Sequence, residues 1–127
     1  MNPEVSVVTA VYNGQAYLRA TIDSILTQTM PNFEYVIVND AATDTTAQIL
    51  ASYTDPRLHI LTNPHNRGPA YSRNRGVHAA RAALVAIIDG DDIAHPTRLA
   101  RQLAYMQSHP DLVLLGAAKR DIDADAV

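Results

Sequence analysis

With 127 residues, 47% of them hydrophobic, the chain holds enough apolar material for one ordinary core and is too short for two domains. Thirteen acidic against ten basic residues give a net charge of -3, which is near balance and offers no electrostatic footprint for DNA, RNA or an anionic membrane surface. The absence of cysteine rules out a disulfide framework, a thiolate metal site and a sulfur nucleophile. The opening MNPEVSVVTAVYNG lacks the basic flank and long apolar core of a signal peptide, and no window approaches a membrane span. A soluble chain in a cytoplasmic setting is expected.

In chain order, VSVVTAV at 5–11 is a β-branched run without clean alternation, which predicts a strand covered on both faces. Asn13-Gly14 breaks it. From Gln15 to Thr29 the apolar residues Leu18, Ile22, Ile25 and Leu26 form a helical stripe that ends near Pro31. YVIV at 35–38 predicts a second buried strand, and Thr45 with Gln48 has capping-box spacing ahead of a helix carrying Ile49, Leu50 and Tyr53. RLHILT at 57–62 reads as a third strand, and Pro69 suits the first turn of a helix running to about Arg81. ALVAII at 83–88 is a fourth strand. Pro96 then opens a helix with Leu99, Leu103 and Met106 on one face, and DLVLLGA, after His109 and Pro110, predicts a fifth strand. The closing KRDIDADAV reads as a loop or frayed end. Five strands alternating with four helices predict an α/β fold, three-layered α/β/α, with a mainly parallel sheet.

Ligands of such sheets bind at the C-terminal ends of the strands, and the polar residues collect there: Tyr12 and Asn13, Asn39 and Asp40, Asn63, Asn66 and Arg67, then Asp89, Asp91 and Asp92. Three carboxylates within four positions repel one another. A hard divalent cation completed by phosphate oxygens and water would relieve them, and Gly90 would leave room for a bulky anion. The same residues also suit a solvated loop and helix N-cap ahead of Pro96. Asp40 has the position from which an acidic side chain selects a base or ribose, and equally suits an Asx turn. Tyr12 can stack on a flat base or simply pack. Arg67, Arg73 and Arg75 can grip a diphosphate or pair with the aspartates, but Arg73 and Arg75, two apart on a helix, must diverge. His59, His65, His78 and His109 are scattered without metal-ligand spacing, and only His95 adjoins the acidic cluster. No Gly-rich phosphate loop of either familiar type is present.

These motifs together resemble family 2 glycosyltransferases of the GT-A fold. VSVVTAVYN, SILTQT and EYVIVNDAATD are similar to the family's S-V-I-I-P-T-Y-N, S-I-L-x-Q-T and E-x-I-I-V-D-D-G-S-T-D. NRGPAYSRNRG and DGDD, followed by Pro96, Arg98 and Leu99, are similar to its N-x-G-x-x-x-A-R-N-x-G and D-x-D-D segments. Ala10 and Val11 depart from the family's Pro-Thr, Asn39 from its first aspartate, Ala41-Ala42 from Gly-Ser, and Ser72 from alanine.

The resemblance implies a nucleotide diphosphate sugar, with uridine favoured, as donor and Mn²⁺ or Mg²⁺ as cofactor. It places Ala10, Tyr12, Asp40, Arg73 and Asp91 at the nucleotide, and Asp92 with Asp91 at the metal. It implies an inverting transfer to a glycan, lipid or protein acceptor, with the general base expected beyond Val127. Residues 1–118 would then be the donor-binding part and 119–127 a tail or the start of an acceptor half. The donors' usual location allows the inner face of the membrane as well as the open cytoplasm. The alternative of another class is a noncatalytic nucleotide-binding or dimerisation module, in which apolar surface left uncovered makes a homodimer. A nucleotidyltransferase is disfavoured because its basic Gly-rich loop is missing.

Overall fold

β1 (Val5–Val11) is the strand around which the computed structural model, described over residues 2–122, is arranged. It pairs in parallel with β2 (Phe33–Asn39) on one side and β4 (Leu84–Ile87) on the other, and β3 (Leu58–Thr62) pairs in parallel with β2. The order β3-β2-β1-β4 leaves β1 and β2 as the central strands. That explains their burial: every residue of β2 is buried and only Ala10 of β1 is half-buried, whereas β3 and β4, at the edges, mix half-buried and exposed residues.

One face of the sheet carries Val5, Val7 and Val11, which meet Leu18, Ile22 and Ile25 of α1 (Leu18–Leu26), Leu50 of α2 (Thr46–Ala51) and Leu99 of α4 (Arg98–Ser108). Each fully buried aliphatic side chain there contributes about 1.5–3 kcal/mol relative to exposure. The opposite face, Val8, Val36 and Val38, is covered by α3 (Pro69–Ala79). α3 approaches closely because Gly76 has no side chain: a Cβ there would come within 2.5 Å of Val8 Cγ1. The expected three layers are therefore present, with the sheet all parallel.

The fifth strand is a correction. Residues 111–117 form no strand: a turn from His109 (Leu112 N–H donates to its carbonyl at 3.0 Å) leads into an irregular segment with Val113 96% and Leu114 83% exposed. An apolar run reports a capacity for burial, but a strand also needs a neighbour to take its N–H and C=O groups. The capping box is a second correction. Thr45 is the N-cap of α2 yet makes no side-chain cap, because its hydroxyl donates to Gln15 Oε1 at 2.9 Å. Asp44 Oδ1 accepts from Thr46 N at 2.9 Å instead. Tyr53 lies outside α2, with its hydroxyl donating to Asp23 Oδ1 at 2.7 Å. Pro69 does open α3, but Pro96 stops short of α4, its carbonyl accepting from Thr29 N at 3.0 Å. Residues 119–122 have no regular structure, and the rest of the expected loop, 123–127, lies outside the described residues.

Candidate functional site

Parallel order brings the C-terminal ends of all four strands to one edge, and hydrogen bonds stitch them side by side. Asp40 N–H donates to Val11 O at 2.9 Å, Asn63 N–H to Asn39 O at 2.9 Å, and Ile88 N–H to Val8 O at 3.1 Å. The chain leaves β1 and β2 through left-handed residues, Asn13 at φ 51 and Ala41 at φ 58. Asn13 then joins the two loops, its Oδ1 accepting from Thr43 N at 2.8 Å. Asn39 makes the local turn that could have been assigned to Asp40, its Oδ1 accepting from Ala42 N at 3.0 Å.

Asp40 turns inward and is only 3% exposed. Its Oδ1 accepts from Asn63 Nδ2 at 2.8 Å and Arg67 N at 2.7 Å, and its Oδ2 accepts from Gly68 N at 2.9 Å. Burial pushes its pKa up, but the hydrogen bonds from Arg67, Asn63 and Gly68 outweigh that and hold the carboxyl below the usual aspartate range. Asp40 is thus a charged anchor for the segment between β3 and α3. Between that segment and the end of β1 lies a cleft of about 230 Å³ lined by Ala10, Tyr12, Asp40, Asn66, Gly68 and Ser72 among others. Tyr12 stands at it 49% exposed, which leaves its ring free to meet a ligand.

On the other side of β1 is the acidic turn. Asp89, Asp91 and Asp92 are exposed, and a carboxylate oxygen from each lies within 4.8 Å of the others. Asp92 N–H donates to Asp89 O at 3.1 Å to close the turn. Gly90 serves here by close approach: a Cβ would sit 3.2 Å from Val11 Cγ2. Burial raises the Asp92 pKa, and Asp91 and Asp89 raise it further. A set of hard oxygens in mutual repulsion fits Mg²⁺ or Mn²⁺ well. Arg73 donates to Asp89 Oδ1 at 3.1 Å, so α3 reaches this turn too.

Ala10, Tyr12 and Asp40 therefore share one cleft, Asp91 and Asp92 share the acidic turn, and Arg73 adjoins the turn through Asp89. Val11 links the two places, bonded to Asp40 on one side and touching Gly90 on the other. A larger apolar depression of about 310 Å³ lies between β4, α4 and Leu114, away from every one of these residues. Size alone does not mark the site.

Two supporting residues gave no chemical signal of their own in the sequence. Ser24 Oγ accepts from Ala94 N at 3.0 Å, while Gln28 donates to His95 O at 2.7 Å and accepts from Leu99 N at 3.0 Å. They fasten the segment after the acidic turn to α1, and they belong to the SILTQT motif.

Comparison with known proteins bears on the family and the fold. The family model described as Glycosyl transferase family 2 matches residues 6–126. An uncharacterized glycosyltransferase of Methanocaldococcus jannaschii is 42% identical over 117 residues, covering 89% of this chain and 40% of that protein. The crystal structure of residues 1–349 of S. aureus TarS in complex with UDP-GlcNAc superposes with a TM-score of 0.80 at 30% identity, over 87% of this chain and 32% of that one. The mannosyltransferase PcManGT of Pyrobaculum calidifontis, in complex with GDP-Man and Mn²⁺, superposes with a TM-score of 0.74 at 26% identity, over 84% of this chain and 33% of that one. The chain spans well under half the length of these relatives. By the family match across nearly all its residues, and by a fold shared with GT-A enzymes, the chain belongs to glycosyl transferase family 2.

Proposed function

We propose that residues 1–118 form the donor-binding part of an inverting sugar transferase, and that the cleft and acidic turn together hold a nucleotide diphosphate sugar, with uridine as the favoured base. The observation that carries this reading is the position of Val11, which puts the Tyr12–Asp40 cleft and the Asp91–Asp92 turn on either side of one strand end. The solved relatives crystallised with UDP-GlcNAc, or with GDP-Man and Mn²⁺, support it.

In this reading Tyr12 stacks on the base, Ala10 leaves space beside it and Asp40 faces its polar edge. Arg73 turns toward the diphosphate, where a guanidinium is a natural bidentate partner. Asp91 meets the ribose or the cation, and Asp92 the cation. When bound, Mn²⁺ or Mg²⁺ supplies electrostatic neutralisation of the diphosphate as its bond to the sugar breaks. The acceptor, a glycan, lipid or protein, and the Asp or Glu that deprotonates its hydroxyl, are assigned to sequence beyond Val127. No helix among the described residues is long and apolar enough to cross a membrane, and the proposed setting is the cytoplasm or the inner membrane face.

Calorimetric titration of the chain with UDP, GDP and ADP, each with Mn²⁺ or with a chelator, tests the proposal. Binding of UDP that requires Mn²⁺ and is lost in Asp92→Asn is the expected result. Failure of all three nucleotides to bind would overturn it and leave a scaffold or dimerisation module, a role compatible with the exposed Val113 and Leu114 beside the β4 edge.

A further inference from the structure

Behind the cleft runs a chain of polar contacts that begins at a residue with no share in the cleft lining. Asn63, 1% exposed, donates through Nδ2 to Asp40 Oδ1 at 2.8 Å and to Ser72 Oγ at 2.9 Å. Its Oδ1 accepts from Arg75 Nη1 at 2.8 Å. Arg73 and Arg75, two positions apart on α3, diverge as their spacing requires. Arg73 is exposed and pairs with Asp89, whereas Arg75 is half-buried and turns beneath Asn63.

A side-chain amide in this place has two orientations. With the NH₂ toward Asp40, both of its hydrogens find acceptors and its oxygen meets a guanidinium that can only donate. Reversed, the amide oxygen would face a carboxylate and the NH₂ would face a cation, which leaves several buried groups unpaired. Arg75 therefore reinforces from behind the orientation that Asp40 requires in front. Asp40, held in place by Asn63, accepts from Arg67 N and Gly68 N, and Gly68 takes φ 90 as the chain turns into α3. That segment is the wall of the cleft facing Tyr12.

We infer that Arg75 is a positioning residue of the nucleotide cleft: by fixing the Asn63 amide it holds Asp40, and through Asp40 the Arg67–Gly68 wall, at the separation from Tyr12 that a nucleotide base occupies. The inference rests on the reading that this cleft takes a nucleotide. Among the described residues the hydrogen-bond partner of the Arg75 side chain is Asn63, so its loss weakens binding without removing any group that touches the ligand.

The test compares the unsubstituted chain with Arg75→Met, Arg75→Lys and Asn63→Ala. Each is titrated with UDP in the presence of Mn²⁺, alongside the melting midpoint and the hydrogen exchange of the Arg67 and Gly68 amides. Arg75→Met is expected to bind UDP about tenfold more weakly, the worth of one charge-assisted hydrogen bond, and to exchange those two amides faster. Arg75→Lys, which keeps a donor, restores most of the affinity. Asn63→Ala weakens binding further where it folds, and the Arg75 pair decides the matter where it does not. Unchanged UDP affinity and unchanged amide exchange in Arg75→Met would overturn the inference. So would a loss of affinity that merely follows the melting midpoint and that lysine fails to rescue. If the unsubstituted chain binds no UDP, the nucleotide reading falls first and this inference falls with it.

Discussion

Ala41 occupies a conformation that its side chain disfavours. At φ 58 it is left-handed, and so is Asn13 at φ 51, but asparagine tolerates this region where alanine pays a steric penalty between Cβ and carbonyl oxygen. The family pattern has glycine at the Ala41 position, and the turn there still requires what glycine provides. Ala41→Gly is therefore expected to stabilise the chain by about 1 kcal/mol, since relief of strain exceeds the added freedom of the unfolded state. Urea denaturation checks it, through a higher midpoint at an unchanged slope; a lower midpoint would mean that the turn is relaxed as it stands. Individual residues were legible in the sequence only up to such demands. Asp40 could be placed at a strand tip, but its donors, Asn63, Arg67 and Gly68, stand 23 to 28 positions away, so no local pattern announces them. Arg75 likewise read only as a candidate partner for a diphosphate or an aspartate, because Asn63, which it meets in the fold, stands 12 positions away.

Elements were more legible than their joints. Apolar periodicity located four helices and four strands, since each must bury a face, whereas the fifth strand failed because 111–117 has no paired neighbour among the described residues. The joints depend on buried polar groups from distant segments. Glu34, 2% exposed on β2, is the clearest case. Its Oε1 accepts from Ser6 Oγ at 3.0 Å and Arg81 N at 2.8 Å, its Oε2 accepts from Arg81 Nε at 2.7 Å, and Ser6 Oγ in turn accepts from Ala82 N at 3.0 Å. One carboxylate thereby fastens the α3–β4 connection to the two central strands. Burial pushes the Glu34 pKa up, but the Arg81 and Ser6 hydrogen bonds outweigh it, so the folded value lies below the ordinary 4.5. Its contribution is accordingly full above pH 4.5 and is lost as pH falls through the lower folded value. Glu34→Gln is expected to cost about 2 kcal/mol near neutrality, as a buried charge-assisted acceptor is lost while Arg81 keeps its access to water. Denaturation of both proteins across the acid range checks the sign: the gap between them should narrow below pH 4.5, and a gap that widens there would mean the carboxyl is protonated at neutrality.

At the scale of the whole molecule, the site is a consequence of strand order. β1 lies between β2 and β4, so the cleft at Asp40 and the turn at Asp91 and Asp92 meet at Val11, although Asp40 and the turn are far apart in the sequence. A ligand spanning both must couple them thermodynamically. A nucleotide diphosphate alone would set its phosphates against three carboxylates, and a cation alone would find only the carboxylates; each therefore raises the affinity for the other. Ligand that binds only the folded chain adds about 2.7 kcal/mol at a hundredfold excess over its dissociation constant, or about 10 °C in melting midpoint for a domain of this size. The shift with UDP and Mn²⁺ together is accordingly expected to exceed the sum of the shifts with each alone. Asp92→Asn should abolish that excess together with UDP binding. Differential scanning fluorimetry at fixed UDP and graded Mn²⁺ measures it directly. Strictly additive shifts would show that the cleft and the acidic turn do not share a ligand, however close the fold brings them.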